Sequence, residues 1–253
     1  MALQRVIPVL LLSGNRLVKT RRFKNPVYIG DPLNTLRIFN RLQADEVCFL
    51  DIEAARKRSK PNISLIRRIS AQAFMPLSYG GGISDADTGL EIVSCGVEKL
   101  VMSTAVFEQP ALVERLVARI GSQSVVCALD VCRTWTGKFR VVTRGGQKAL
   151  RMSPQEALEH AQQLGVGEIL LTDVSREGTW EGLNIELAKT LIPALRVPLI
   201  MHGGARDTPD VQKALDLAGV SAVAIGNMAV FQKPGGGILI NYPSVKRRLI
   251  GQN

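Results

Sequence analysis

The sequence predicts an α/β protein folded as a single (β/α)8 barrel, a TIM barrel, with a two-fold internal repeat. An apolar run that ends in glycines occurs at residues 77–83 and returns at 199–205, an offset of 122 residues. The same offset relates residues 49–52 to residues 171–174. Each half carries four apolar runs of strand length that alternate with helical patterns, which indicates a parallel sheet closed into a barrel.

Length and repeat together favour one domain. A chain of 253 residues could form two ordinary domains or one barrel. Because two like halves can close one barrel, we take residues 1–253 as a single domain, with half-barrels at about 1–120 and 121–253. The repeat has one mismatch, since the second half carries Asp130 where the first half carries Leu11.

Composition argues against several classes of protein. Hydrophobic residues make up 46% of the chain, enough for a sizeable core. No run of about 18 apolar residues is present to cross a membrane, and the N-terminus leads into a strand without a targeting segment. The four cysteines lack metal-ligand spacing, and Cys48 and Cys127 lie in buried strand patterns. We therefore expect a cytoplasmic protein without a metal or a cofactor.

The net charge of +10 indicates that the protein could bind an acidic partner or ligand. The basic residues are scattered and no aromatic platform is interleaved with them, so nucleic acid is not expected as a partner. A phosphorylated small-molecule ligand or an acidic partner protein fits the charge equally well.

The first half predicts four strands, each followed by a helix. Strand one runs from Arg5 to Leu12, and a polar, basic loop follows at residues 13–23. Asp31 caps a helix that begins at Pro32. The other predicted boundaries are a strand at 46–52, a helix from about Asn62, a strand ending at 80–82, a helix capped by Ser84 or Asp85, and a strand at 99–102.

The second half repeats this order with one insertion. Gly121 closes a helix, strand five runs to Asp130, and an alternating segment at 134–143 predicts a small hairpin within a βα loop. Ser153 caps a helix with Pro154 at its first position. The other predicted boundaries are strand six at 168–172, strand seven ending at 202–204, strand eight ending at 226–227, an irregular tail at 234–243 and a short basic helix at the end.

Polar residues interrupt the apolar runs at the carboxyl ends of the predicted strands, where the active site of a barrel lies. These residues are Asp51, Ser78, Ser103, Thr104, Asp130, Thr172, Asp173, His202 and Asn227. A ring of polar ends around an apolar interior predicts a binding site at the barrel mouth.

Two phosphate cradles are predicted on opposite sides of this mouth. One combines the glycine turn at 80–82 with Ser103 and Thr104, and the other combines Gly203 and Gly204 with 226–227. Bare backbone N–H groups at such turns can face an anion, so a substrate with a phosphate at each end is expected. Alternatively, the glycines serve only tight turns. Four cations of the basic loop could also meet an anion, or the loop could simply be solvated: Arg16, Lys19, Arg21 and Arg22.

Asp130 is the best candidate for acid–base chemistry. A carboxylate at a barrel mouth beside apolar walls can have a raised pKa and carry protons. Asp51 is the second candidate, although it could instead orient loop backbone. His202 faces the site by the pattern, whereas His160, the other histidine, is expected on the surface. Glycoside chemistry by paired carboxylates is disfavoured because no sugar-stacking aromatic residues ring the mouth.

Over essentially its full length, the chain resembles the cyclase subunit of imidazole glycerol phosphate synthase. The resemblance rests on these segments: residues 5–8, 16–19, 30–32, 49–52, 80–83, 121–126, Asp130, 167–172, Gly178-Thr179 and 203–205. It implies a subunit that takes ammonia from a partner glutaminase at the N-terminal face of the barrel. The ammonia would be added to a bisphosphorylated ribulosyl intermediate, giving imidazole glycerol phosphate and an aminoimidazole carboxamide ribotide.

The resemblance also implies roles for single residues. A charged ammonia gate at the bottom of the barrel matches Arg5, Glu46, Lys99 and Glu168, and Glu98 would face the glutaminase. Alternatively, the four charges form a purely structural network. Asp130 is implied as catalytic. The implied substrate and phosphate contacts are Lys19, Asp51, Gly81, Gly82, Ser103, Thr104, Thr172, Gly178, Thr179, His202, Gly203, Gly204, Gly226 and Asn227.

Departures from the family pattern gather at the mouth. The second catalytic aspartate falls on Leu11, which cannot transfer a proton. Ser103 replaces an Asn, His202 a Ser and Glu177 an Asp, while residues 226–227 and the tail after 231 are rewritten. These changes suggest a divergent paralogue.

Paralogues of this kind are associated with a second glutaminase and a sugar amidotransferase that makes amidino sugars for surface polysaccharides. Such a barrel would relay ammonia to that third protein. An unrelated phosphate-binding barrel, such as a sugar isomerase, is a further alternative that the gate residues argue against.

Overall fold

A computed structural model of the chain describes residues 3–57 and 59–248. The strands are β1 (Arg5–Ser13), β2 (Arg16–Arg21), β3 (Lys24–Gly30), β4 (Val47–Asp51), β5 (Leu77–Gly80), β6 (Lys99–Met102), β7 (Val125–Arg133), β8 (Phe139–Thr143), β9 (Lys148–Ala149), β10 (Glu168–Asp173), β11 (Leu199–His202) and β12 (Val220–Ile225). The helices are α1 (Pro32–Arg41), α2 (Ile52–Lys57), α3 (Ile63–Ser70), α4 (Ala86–Ser94), α5 (Thr104–Glu108), α6 (Pro110–Ile120), α7 (Pro154–Gln163), α8 (Ile185–Leu191), α9 (Thr208–Leu215) and α10 (Asn227–Val230).

Eight parallel strands close into a barrel, so the predicted fold class is confirmed. Their order is β1-β4-β5-β6-β7-β10-β11-β12, and β12 pairs with β1 to close the ring. Each strand of the ring has helices on its outer face and the barrel interior on its inner face. Both faces are therefore buried, and apolar residues run continuously along the strand. The helices lie outside the ring of strands. No helix in the described part of the chain is long and apolar enough to cross a membrane.

Two apolar layers hold the barrel together. The outer layer lies between sheet and helices and includes large, fully buried side chains such as Phe39, Phe49 and Tyr79. The inner layer fills the barrel with small and branched side chains, among them Ile7, Cys48, Val101, Leu170, Ile200 and Ala224. Successive side chains alternate between these layers because strand residues point to opposite faces in turn.

The predicted helix starts agree with the structure. The carboxylate of Asp31 accepts the amide of Asn34 at 2.9 Å, with Pro32 at the first helical position. Of the two candidates for the fourth helix, Asp85 is the cap. Ser153 and Glu156 form a reciprocal capping box at α7, a pairing that fixes two otherwise unpaired backbone donors.

The basic segment after β1 is a β-hairpin, not an irregular loop. Strand β2 pairs antiparallel with both β1 and β3. Its central residues, Leu17 to Thr20, are all buried, whereas Arg16 and Arg21 at its ends are exposed. The charged ends concealed this strand in the sequence.

The insertion after strand five differs in detail from the predicted hairpin at 134–143. Strand β7 continues past Asp130 to Arg133, and its last residues pair antiparallel with β8. A further short strand, β9, pairs with the other edge of β8. The hairpin therefore consists of the end of the barrel strand and β8, joined by a turn at 134–138.

The end of the chain lacks the predicted basic helix as far as residue 248, and residues 249–253 lie outside the described residues. Instead, the tail runs irregularly along the barrel. The Tyr242 hydroxyl donates to the carbonyl of Val6 at 2.9 Å and accepts the amide of Asp45 at 2.9 Å. These bonds tie the tail to the N-terminal side of the barrel.

His160 is half-buried, so its expected position on the surface was wrong. Its Nε2 lies 3.0 Å from the carbonyl oxygen of Val106, and its ring stacks on Phe107 with centroids 5.9 Å apart. The residue packs α7 against α5, and it does not itself line the cavity at the mouth.

Candidate functional site

A cavity of about 570 Å³ opens at the carboxyl ends of the barrel strands. This volume is typical of small-molecule sites. The predicted site residues that line it are Lys19, Asp51, Gly81, Gly82, Ser103, Thr104, Asp130, Thr172 and His202, together with Leu11. The sequence therefore identified the centre of the mouth and its first-half wall.

Asp130 lies at the centre of this mouth and is buried. Burial raises the pKa of its carboxyl to about 7, although hydrogen bonds from Ser103 and Thr172 oppose the rise. The Ser103 hydroxyl donates to Oδ2 at 3.2 Å. A carboxyl group with such a pKa can give or take a proton near neutral pH.

Leu11 occupies the place that the repeat assigns to a second carboxylate. It lines the same cavity, is only 6% exposed and is paired across β1 and β2 with Val18. An aliphatic side chain at this point makes the first-half side of the mouth unable to exchange protons through β1.

His202 and Asp130 lie on the two strands that flank β10, and one residue of β10 separates them. The strand register places Thr172 of β10 opposite both Asp130 of β7 and His202 of β11. The hydroxyl of Thr172 lies 3.2 Å from His202 Nδ1. Burial, with the nearby ammonium of Lys19, lowers the pKa of His202 to about 3, so the imidazole is neutral.

Lys19 is the one cation of the basic segment that lines the cavity. Its side chain descends from β2 into the mouth, where the amine donates to the carbonyl of Val9. Burial lowers its pKa to about 8, against the attraction of Glu177. The other three point elsewhere: Arg16 stacks over Tyr28, Arg21 is exposed, and Arg22 donates to the carbonyl of Ser175 at 2.9 Å.

Glu177 fastens the β2–β3 hairpin over the mouth. Its carboxylate accepts the Thr20 hydroxyl and the Phe23 amide, each at 3.0 Å. Both carboxylate oxygens are thus committed, and the side chain is buried. The hairpin crosses from β1 to the loop after β10, and its Lys19 amine lies next to Gly226, the residue that follows β12.

The first predicted cradle is open to the cavity, but its glycines also have a packing role. A Cβ at Gly81, where φ is +112°, would come within 2.3 Å of the carbonyl oxygen of Asp51. The Asp51 carboxylate accepts the amides of Glu53 at 3.0 Å and Ala54 at 2.9 Å. Asp51 therefore orients loop backbone, which was the alternative interpretation of this residue.

The second predicted cradle lies outside the cavity in this structure. None of Gly178, Thr179, Gly203, Gly204, Gly226 and Asn227 is among the residues that line it. Gly178 packs on the hairpin, where a Cβ would come within 2.4 Å of the carbonyl oxygen of Thr20. The Asn227 amide donates to the carbonyl of Gly178 at 3.1 Å. The two cradles are thus unequal, because the hairpin and the β10 loop occupy one side.

The four predicted gate residues form a closed ring at the opposite end of the barrel. Arg5 lies 2.5 Å from both Glu46 and Glu168. Lys99 lies 3.0 Å from Glu46 and 2.9 Å from Glu168. Each cation bridges both carboxylates, and the Ser78 hydroxyl donates to Glu46. Ser78 therefore lies at this end of the barrel, so its expected position at the mouth was wrong. Glu98, next to the ring, is exposed on the N-terminal side.

Between ring and mouth, the barrel interior is apolar. A void of about 10 Å³ lies above the ring, lined by Ile7, Val9, Glu46, Cys48, Ser78, Val101, Val126, Leu170, Ile200 and Ala224. A space of this size holds about one water-sized molecule. The charged ring, the void and the mouth are thus aligned along one barrel.

Comparison with known proteins decides the family. The family model described as "Histidine biosynthesis protein" matches residues 5–233. This chain belongs to the histidine biosynthesis protein family. Two members of it are similar along almost their whole length. A Leptospira interrogans protein described as "Putative imidazole glycerol phosphate synthase subunit HisF" is 40% identical over 241 residues, 95% of each chain. A Pseudomonas aeruginosa protein described as "Putative imidazole glycerol phosphate synthase subunit hisF2" is 39% identical over 251 residues, 99% of this chain and 100% of the relative.

A more distant family member carries an unqualified description. The "Imidazole glycerol phosphate synthase subunit HisF" of Pyrococcus furiosus is 36% identical over 206 residues, 81% of each chain. The predicted resemblance to this family is therefore confirmed, and the similarity to proteins described as numbered or provisional copies agrees with a divergent paralogue.

Sequence reasoning missed a second group of charges in this family member. Arg144, in the turn between β8 and β9, donates its amide to Thr104 Oγ1 at 3.0 Å and its guanidinium to Glu108 at 2.7 Å. Hydrogen bonds from Arg144 and Lys148 lower the pKa of Glu108 to about 2. Arg56 donates to the carbonyl of Phe23 at 2.5 Å. The glycines at 145–146 indicate a turn in the sequence. The position of this turn at the mouth, next to Thr104 and Glu108, depends on tertiary packing.

Proposed function

We propose that this chain is the cyclase-type subunit of an imidazole glycerol phosphate synthase complex. It receives ammonia from a glutaminase subunit at the N-terminal face of the barrel and adds it to a bisphosphorylated ribulosyl intermediate in the mouth. One observation carries the proposal: a ring of four charges and a neutral-range carboxyl, Asp130, lie at the two ends of one apolar barrel interior.

The ring supports a role at the entrance for ammonia. A cation is far more costly to bury in an apolar interior than neutral ammonia is. The void beyond the ring is lined mainly by apolar side chains such as Ile7, Cys48 and Ala224, so the molecule that enters it would be neutral ammonia. The void matches its size.

The mouth supports addition of this ammonia to a phosphorylated ligand. One phosphate would meet the open cradle at Gly81, Gly82, Ser103 and Thr104. The other would meet the cradle at Gly178, Thr179, Gly203, Gly204, Gly226 and Asn227, which requires the β2–β3 hairpin to move. Lys19, Asp51, Thr172 and His202 would surround the middle of the ligand, where Asp130 supplies a proton. The cytoplasmic location expected from the sequence stays a prediction.

A second candidate function is favoured by Leu11. If no other group replaces the missing carboxylate, the barrel would bind its ligand without closing the imidazole ring and would relay ammonia to a third protein, a sugar amidotransferase.

The test reconstitutes the protein with a glutaminase subunit and the ribulosyl intermediate, with glutamine or ammonium salt as the nitrogen source. Formation of imidazole glycerol phosphate is followed for the native chain and for Leu11→Asp. Turnover by the native chain supports the cyclase and excludes the relay. Glutaminase activation without product overturns the cyclase proposal, and rescue by Leu11→Asp would locate the defect at that position.

A variant of the void tests the path of ammonia separately. Ala224→Leu adds bulk inside the barrel, where Ala224 is 1% exposed. It should reduce product formed from glutamine more strongly than product formed from ammonium salt, which reaches the mouth from solution. Ala214→Leu, in the outer layer on α9, is the matched control and should leave that ratio unchanged.

A further inference from the structure

We propose that His202 supplies, through Nε2, the second acid–base group of the mouth, the one that Leu11 cannot supply. This inference rests on the proposed cyclase function and names a residue of that reaction which the chain carries in place of a carboxylate on β1. It follows from which groups of the mouth are already committed, from the tautomer of the imidazole and from the position of its free nitrogen.

Most titratable groups at the centre of the mouth already have structural partners. The carboxylate of Asp51 holds two loop amides. Glu177 holds the β2–β3 hairpin with both oxygens. The amine of Lys19 donates to the carbonyl of Val9. His202 differs from them, because only Nδ1 is bonded and Nε2 forms no hydrogen bond to any residue in 3–57 or 59–248.

The proposal includes one tautomer of His202. Ser103 donates to Asp130 at 3.2 Å, and a hydrogen bond from Thr172 also opposes the rise of the Asp130 pKa. With the Thr172 proton directed at Asp130, Oγ1 accepts from His202 Nδ1–H across 3.2 Å. In the neutral imidazole, a proton on Nδ1 leaves a lone pair on Nε2.

Nε2 faces the space above Gly226. The point at which a Cβ of Gly226 would stand lies 3.7 Å from Nε2 and 3.4 Å from the amine of Lys19. Glycine therefore leaves space for about one methyl group between the two side chains, next to the cavity that both of them line. Because His202 and Lys19 both line the same cavity as Asp130, a ligand in the mouth can reach all three.

The two groups can exchange protons with one reacting centre. Ammonia attacks a ligand carbonyl carbon, the C–N bond forms, and the C=O π electrons move to oxygen. Asp130 gives its proton to that oxygen, and Nε2 takes the extra proton from nitrogen, which leaves a carbinolamine, a carboxylate and an imidazolium. In the next step the imidazolium protonates the hydroxyl, which departs as water, while nitrogen returns a proton to Asp130 and an imine forms.

Thr172 couples the two charges that appear in this exchange. The new Asp130 carboxylate accepts from its hydroxyl, and the hydroxyl oxygen accepts from the Nδ1–H of the His202 imidazolium. A carboxylate one hydroxyl away favours the imidazolium, so the basicity of Nε2 rises at the moment when a base is needed. Each group resets the other, and no outside acid is consumed.

The kinetic test uses the reconstituted complex with ammonium salt and the ribulosyl intermediate. His202→Gln should lower kcat by about 100-fold or more, the usual size of an acid–base contribution, with KM changed only a few-fold. Leu11→Asp should restore kcat at least tenfold in the His202→Gln background, since it returns a proton acceptor to β1. His160→Gln, which alters the other histidine outside the mouth, is the control and should keep the native rate.

The outcomes separate this inference from the proposed function. Absence of product with the native chain overturns the cyclase and this inference together. Native turnover with a His202→Gln rate within threefold overturns the role of His202 alone. Failure of Leu11→Asp to rescue a folded His202→Gln chain would also contradict it, because a group that only shapes the pocket is not replaced by a carboxylate on another strand.

A spectroscopic test needs no turnover. The His160→Gln variant leaves His202 as the single histidine, so ¹⁵N-labelled histidine reports it without overlap. The expected spectrum at pH 7 shows a protonated Nδ1 and an unprotonated Nε2. A neutral ring protonated on Nε2, or an imidazolium in the free protein, would overturn the proposed proton acceptor.

Discussion

Removing one cation from the charged ring of Arg5, Glu46, Lys99 and Glu168 should destabilise the whole barrel. Lys99→Met removes two ion pairs, at 3.0 and 2.9 Å, and leaves both carboxylates to share Arg5. Breaking a buried ion pair from one side costs about 3–5 kcal/mol. Because the Lys99 side chain is 15% exposed, we expect a somewhat smaller loss, about 2–4 kcal/mol of the free energy of unfolding.

Urea unfolding followed by circular dichroism measures this loss. Glu98→Gln is the matched control, since Glu98 is adjacent but exposed, and should change the free energy of unfolding by less than about 0.5 kcal/mol. In a double-mutant cycle, the loss in free energy of unfolding of the variant with both Lys99→Met and Glu46→Gln should be smaller than the sum of the two single losses by about 1 kcal/mol or more, because the double variant restores charge balance. A Lys99→Met loss below about 0.5 kcal/mol would refute a cooperative ring.

Three further predictions concern the mouth. The folded-state pKa of Asp130, about 7, lies above its unfolded value, so native stability should fall as pH rises from about 4 through about 7. Over this pH range, the free energy of unfolding of Asp130→Asn in urea titrations should therefore rise relative to that of the native chain, by up to about 4 kcal/mol. Parallel plots of the two free energies against pH would contradict the raised pKa. Gly81→Ala should cost more than about 3 kcal/mol through a clash at a positive φ, whereas Gly237→Ala, with no atom within 4 Å, should be neutral by thermal melting. Glu177→Gln should speed hydrogen exchange of the Phe23 amide by about tenfold, and unchanged exchange would show that this carboxylate does not hold the hairpin.

Local signals predicted the barrel well because its elements obey short-range rules. The caps at Asp31 and Ser153 follow from a side chain that accepts an amide three residues ahead. Strand β6 could be located from its run of three apolar residues after Lys99. The internal repeat added long-range information, since like segments in two halves must occupy like places in a closed sheet.

Signals failed where tertiary contacts decide the structure. Strand β2 carries a buried lysine, Lys19, which the sequence alone predicts to lie in a polar loop. The structure shows that its amine donates to the carbonyl of Val9. The second phosphate cradle was predicted from Gly203 and Gly204 together with residues 226–227. Its cover depends on the bond between Glu177 and a hairpin more than 150 residues away in sequence, which no local pattern reveals.

The candidate site divides in the same way. The residues of the ring were implied by the family resemblance, whereas Asp130 could be identified from the break it makes in an apolar strand. The role of Asp51 was left open by the sequence, and only its bonds to the amides of Glu53 and Ala54 show that it orients backbone. The functional meaning of Leu11 depends equally on its neighbours, because a missing group can be replaced from another strand.

The two ends of the barrel tolerate change to different degrees for a physical reason. In the ring, each member balances two others, so a neutral substitution of one leaves an uncompensated net charge among the other three. At the mouth, proton transfer requires only an acceptor within reach of the same reacting atoms, and eight strands converge there. An acid–base group can therefore move from β1, where Leu11 now stands, to β11, where His202 already bonds to the hydroxyl next to Asp130. The loss of a carboxylate on one strand thus does not by itself imply loss of the reaction.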